Sequence, residues 1–275
     1  MASPESSALD RWTVAAIAVV AYAVGNVVHE GLGHGGACVL VGGRPQELNA
    51  IFFECSVDGL PPSEGRWLAA GGSIANLIVA ALAWVTLRAL PRDWGRVRHF
   101  AWLLLAVDVL QPFGYLLFSG LGGLGDWAVV VEGMRPALAW RLGLIVVGAV
   151  LYFVVAPPWL MKLLEPFLAA PGEERIARTR TLTLLPYLVG GTLFVVAGLL
   201  NPHGLQLVLI SAIAASFGGT SLLAWYPGLW ARRAPSGAGP PLGVPRSVVW
   251  LVAGLVVGGM FVGVLGPGVR LTGRG

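Results

Sequence analysis

Hydrophobic residues run in long blocks along this chain, broken by short stretches of Arg, Gly and Pro, and windows of about 19 residues pick out about seven blocks able to cross a bilayer as helices. They are Trp12–Val41, Trp67–Leu87, His99–Phe118, Ala137–Val155, Thr181–Leu200, Leu205–Ala224 and Ser247–Leu265. A further apolar piece, Asp126–Met134, is too short to cross at about 1.5 Å per residue and predicts a half-helix or re-entrant element after the third span. Between the first two spans, Gly42–Arg66 carries Leu48-Asn49-Ala50-Ile51-Phe52-Phe53 among glycines and prolines, which predicts a short hairpin at the interface. The stretch Arg232–Pro245, rich in Pro, Gly and Ala, reads as a loop. The expected fold class is all-α, a polytopic transmembrane helical bundle.

Composition agrees with that reading. Hydrophobic residues make up 56% of the 275 positions and charged residues 12%, with a mean hydropathy of +0.76, too little polar surface to cover a soluble globule. The lipid bilayer is therefore the first partner. Residues 1–275 read as a single integral membrane domain. Met1–Asp10 is polar without a basic cluster, and the apolar run after it is too long for a signal-peptide core, so the first block is expected to stay as a helix. The net charge of +4 and pI near 9.5 do not point to nucleic acid, because the basic residues sit in short loops beside apolar blocks. Arg88, Arg92, Arg96 and Arg98, then Lys162, Arg175, Arg178 and Arg180, then Arg232, Arg233 and Arg246, fall on the same side as Arg11. The positive-inside rule then places the N-terminus in the cytoplasm, in the cell membrane. Cys38 and Cys55 are too few for a disulfide scaffold, and whether they pair depends on the side they face.

The candidate chemistry lies in His29-Glu30-Gly31-Leu32-Gly33-His34, at the far end of the first block. Ionisable groups inside a membrane cost several kcal/mol unless they are used or paired, and three stand together here. Histidines at i and i+4 share a helical face and can share a zinc ion. At i and i+5 they stand roughly 140° apart on a regular α-helix. A π-bulge would restore a common face, and the glycines around the cluster permit one. The alternative is that Glu30 and His34, at i and i+4, are the ligands and His29 supports them. A third reading has both histidines simply hydrogen-bonded to neighbouring helices.

That stretch resembles the H-E-L-G-H of the site-2 protease family of intramembrane zinc metalloproteases, with one glycine inserted after the glutamate. Ala70-Gly71-Gly72-Ser73-Ile74-Ala75-Asn76-Leu77 is similar to the family's A-G-P-x-A-N-L, without its proline. Gly125-Asp126-Trp127 stands where the family carries L-D-G. The resemblance covers roughly the first half of the chain and keeps the order of the three elements. It implies a Zn2+ ion held by His29, His34 and Asp126, with Glu30 as the general base and Asn76 contacting substrate backbone. It also implies a metal-site core over residues 12–135, accessory helices over 137–267, and a transmembrane peptide as substrate. In well-known bacterial members the site lies toward the cytoplasm, whereas the charge count here puts it outside.

Topology brings other candidates near. His29 lies about 18 residues, or roughly 27 Å, into its helix, on the face where Asp126 and His203 also fall. His203 is a candidate fourth ligand or an ordinary loop histidine, and Asp108, with Gln111 a turn later, is a mid-membrane acid that could replace Asp126. Asn76 reads equally as a helix–helix hydrogen bond. Three functions follow as expectations: an intramembrane zinc protease, a metal-dependent hydrolase of a lipid amide or ester, or a non-catalytic membrane protein such as a transporter. The oligomeric state is not legible.

Overall fold

The computed structural model describes residues 7–168, 172–202, 215–229 and 240–271. Among the described residues, 6 helices are long and apolar enough to cross a membrane: α1 (Arg11–Leu40), α2 (Pro62–Ala89), α3 (Gly95–Gly122), α5 (Ala137–Phe167), α6 (Gly172–Leu199) and α8 (Val248–Leu265). Two short helices join them, α4 (Asp126–Val131) and α7 (Leu222–Leu229). The chain is a mostly helical integral membrane protein, as its hydrophobic blocks predict. The first half of the expected block Leu205–Ala224 lies outside the described residues, and so does His203.

The helix α1 is the axis of the bundle. Asp10 caps it, Oδ1 accepting from the Thr13 backbone N–H at 2.8 Å and from the Thr13 hydroxyl at 2.7 Å, so two donors at the helix start are satisfied. Val14, Ile17, Ala18, Ala21 and Tyr22 then recur at helical spacing and are buried. Small residues let neighbours approach: a Cβ on Gly190 of α6 would stand 2.4 Å from the Tyr22 ring, and one on Gly254 of α8 would stand 2.8 Å from Ala16 Cβ. In its most apolar stretch α1 is 67% buried, while the corresponding stretches of α5 and α8 are 11% buried. Those two helices therefore face lipid and α1 faces protein. On α3, Trp102 Nε1 donates to the Leu160 carbonyl of α5 at 2.9 Å. At the N-terminal end of α1, Arg178 donates to the carbonyls of Ser7, Phe167 and Leu242 and ties the loops together.

At the opposite end sits a small sheet of β1 (Arg44–Leu48), β2 (Phe53–Ser56) and β3 (Val269–Arg270), in the order β2-β1-β3, all neighbours antiparallel. The predicted hairpin is there, and Leu48–Phe53 forms its turn. Asn49 Oδ1 accepts from the backbone N–H groups of Ile51 and Phe52, both at 2.9 Å, which closes that turn. A Cys38–Cys55 disulfide fastens β2 to the end of α1, and the Ala50 N–H donates to the Leu265 carbonyl of α8 at 2.8 Å.

Candidate metal centre

Along α1 the bonding changes from α to π over Val28–Gly35 and returns to α at Gly36. Hydrogen bonds from i to i+5 put residues five apart on one face. His29 and His34 consequently stand side by side, their Nε2 atoms 3.2 Å apart. The inserted glycine is absorbed by this turn, so deleting Gly31, whose Cβ would meet only Val27 at 3.9 Å, is expected to return the segment to α-helix with the histidines still paired. The deletion protein should therefore take up as much zinc as the wild type in equilibrium dialysis. Complete loss of uptake would show that the π turn itself is required.

The π segment is held against α2 by contact of backbones. A Cβ on Gly33 would come 2.5 Å from Gly72 Cα, and one on Gly71 would come 2.5 Å from the Gly33 carbonyl oxygen. This crossing brings the Leu68 carbonyl of α2 to His34, whose Nδ1–H donates to it at 2.8 Å. With Nδ1 committed as a donor, Nε2 is the nitrogen left to face a metal, which would take the place of the proton that Nε2 shares with Asp126.

Asp126 arrives from the other side. It opens α4 just after Gly125, whose φ of 82° favours glycine. Trp127 Nε1 donates to Ser73 Oγ on α2 at 3.0 Å, and Arg66 donates to the Glu132 carbonyl at 2.9 Å, so α4 is docked at both ends. Asp126 Oδ2 lies 3.2 Å from His29 Nε2 and 3.5 Å from His34 Nε2. Burial would raise the Asp126 carboxyl, but hydrogen bonds and charge from His29 and His34 outweigh it and hold the group below the usual carboxylate range.

These three donors can be tested against a metal. Ligands about 2.0–2.2 Å from a tetrahedral zinc stand roughly 3.3–3.6 Å from one another. The observed separations of 3.2, 3.2 and 3.5 Å have that scale. The donor set of two imidazole nitrogens and one carboxylate oxygen suits zinc and leaves a fourth position open. Room exists because residue 72 is glycine: a Cβ there would lie 2.5 Å from His29 Nε2 and 2.7 Å from His34 Nε2.

Glu30, adjacent in sequence, is 7% exposed. Glu30 and His29 line a small cavity with Ile51, Gln111, Tyr115 and Phe194; its volume of about 10 Å³ is room for about one water molecule.

Of the sequence candidates, His29, His34 and Asp126 converge with Glu30 beside them. Asp108 does not join them. It is fully buried against Gly25 of α1, a Cβ on which would lie 3.3 Å from its Oδ2, and neither carboxylate oxygen has a hydrogen-bond partner among the described residues. Asn76, also fully buried, donates to Gln111 Oε1 at 3.3 Å. Tyr115 was not singled out by the sequence, where an aromatic residue in an apolar run looks like ordinary core. Its ring lies 5.8 Å from that of His29. No family model, curated protein or solved structure matches the chain, so its chemistry is read from these residues alone.

Proposed function

We propose that this protein is a zinc-dependent membrane hydrolase related in design to the site-2 protease family, cutting an amide bond of a membrane-embedded peptide. The observation that carries the reading is the meeting of His29, His34 and Asp126 at zinc-like spacing beside a buried Glu30 and a water-sized cavity. A bound zinc would supply Lewis-acid activation of water and carbonyl. Glu30 is the base: it takes the proton of the attacking water and returns it to the leaving nitrogen. Gly125 and the Trp127–Ser73 hydrogen bond hold Asp126 in place, and the Leu68 carbonyl fixes the His34 tautomer.

One observation favours a lipid amide or ester as the alternative substrate. A lateral cavity of about 270 Å³, lined by Phe118, Leu121, Tyr152 and Phe153 among others, shares Tyr115 and Ala215 with the cavity at Glu30. Tyr152 spends its hydroxyl on the Ser221 hydroxyl and the Leu222 N–H, so the lining suits a hydrocarbon chain. As for sidedness, the Cys38–Cys55 disulfide lies at the same end as the site. Disulfides persist in oxidising compartments, which supports an outward-facing site and a cytoplasmic N-terminus in the cell membrane.

The test is metal analysis and turnover together. Purified protein should carry close to one zinc per chain, and Glu30→Gln should keep the zinc while hydrolysis falls by at least about a hundredfold. Unchanged turnover in that variant removes Glu30 as the base. A fluorogenic transmembrane peptide assayed beside a ceramide-like lipid separates the two substrate readings.

A further inference from the structure

Two polar side chains beside the site are left with unspent donors. Gln111 and Tyr115 are one turn apart on α3, at i and i+4, and so share a face. Both line the small cavity that holds Glu30 and His29. Gln111 is 4% exposed, and its Oε1 is already taken by Asn76 Nδ2 at 3.3 Å. In this arrangement Nε2 is the end of the amide left over. Gln111 Nε2 donates to no described residue, and the Tyr115 hydroxyl does not either. Neither donor is sealed in by protein, and both residues line the cavity, so an acceptor brought there by a ligand can meet the two on one face.

We propose that Gln111 and Tyr115 form the donor pair that grips the carbonyl oxygen of the substrate's scissile amide or ester. This rests on the hydrolase reading above and adds the group that reading lacked. As the water oxygen bonds to the carbonyl carbon, its proton passes to Glu30 and the C=O π pair moves onto the carbonyl oxygen. Gln111 Nε2–H and Tyr115 O–H donate to the negative charge that develops there. Collapse restores the C=O bond and breaks the bond to nitrogen or oxygen, which receives the proton from Glu30. Tyr115 also forms part of the wall of the lateral apolar cavity, so a chain lying in that cavity has its carbonyl end directed to this pair. Asn76 acts through Gln111 as a positioning residue, holding the amide so that its nitrogen faces the reaction.

The experiment needs no natural substrate. The full chain is loaded with Co2+, whose visible absorption reports its ligands, and titrated with octanohydroxamic acid, a metal-seeking group with a carbonyl oxygen and an apolar tail. Tyr115→Phe and Gln111→Leu should each keep the Co2+ spectrum and weaken hydroxamate binding about ten- to a hundredfold, the loss of one hydrogen bond to a charged oxygen. Asn76→Ala should weaken it in the same direction and by less. Wild-type hydroxamate affinity in both single variants, with Co2+ still bound, overturns the donor pair and leaves the metal reading standing. Loss of Co2+ in either variant also overturns it, by making that residue part of the metal site's support. A wild-type chain that binds no Co2+ removes the hydrolase reading and the donor pair with it.

Discussion

Replacing Gly72 with valine should empty the metal site while leaving the helices folded. Residue 72 serves the site through the space that its missing side chain leaves. A single Cβ there would stand 2.5 Å from His29 Nε2, 2.6 Å from His29 Cε1 and 2.7 Å from His34 Nε2. Contacts that close require the imidazoles to move, and the Leu68 carbonyl at 2.8 Å holds His34 from the other side. His29 has less to hold it, its Nδ1 being buried without a partner among the described residues, so it is the ring that swings. Zinc affinity should fall by about a hundredfold or more, the upper end of what disturbing the support of a metal ligand costs. Gly36 provides the control, because a Cβ there meets nothing within 4 Å, and Gly36→Ala should bind zinc normally. Competition against a chromogenic chelator reads the affinity, and far-ultraviolet circular dichroism reports the helices. Normal zinc affinity in Gly72→Val would mean that the ion does not sit between these histidines.

The membrane made much of this fold legible in advance, because lipid demands helices of a fixed minimum length whose backbone is satisfied internally. The first apolar block, Trp12–Val41, corresponds to a helix over Arg11–Leu40. Elsewhere the helices outrun their apolar blocks. The helix α2 begins at Pro62, where proline at the first turn and a polar Ser63-Glu64-Gly65 form a helical start that no hydrophobic window detects. The helix α5 continues past Val155 through Pro157 and Pro158 to Phe167, directly after a π segment at Val150–Val155. Proline reads as a stop in a sequence, but here it falls where the bonding is already changing register.

The site divides in the same way. Chemistry singled out His29, Glu30 and His34, because three ionisable groups in an apolar helix are costly without a use. Spacing alone left the i and i+5 histidines with more than one outcome, and the fold takes the π turn. The turn absorbs the inserted glycine while Gly33 stays against the backbone of Gly72, a tertiary contact that no local pattern carries. The same limit hid Tyr115 and the use of Gln111. Both sit in α3 among Val109, Leu110, Phe113 and Leu116, and only the packing of α3 against α1 turns them toward Glu30.

Asp126→Ala should abolish zinc binding, whereas Asp108→Asn should leave it intact. Both acids stood as candidates for the same ligand, and their surroundings now differ sharply. Asp126 Oδ2 is within 3.5 Å of both histidine Nε2 atoms, on a helix docked to α2 by Trp127. Removing that carboxylate leaves two imidazoles, one donor short of the three that hold an open zinc site. Asp108 faces Gly25 in α1 and makes no hydrogen bond with any described residue. A buried carboxyl in that position is best tolerated uncharged, so the neutral isostere asparagine should cost little or even stabilise the bundle. Zinc content after purification, read beside thermal unfolding in detergent, distinguishes the two effects. Retention of zinc by Asp126→Ala, with loss in Asp108→Asn, would move the third ligand to the middle of α3, beside Gly25 and one turn of α1 below His29.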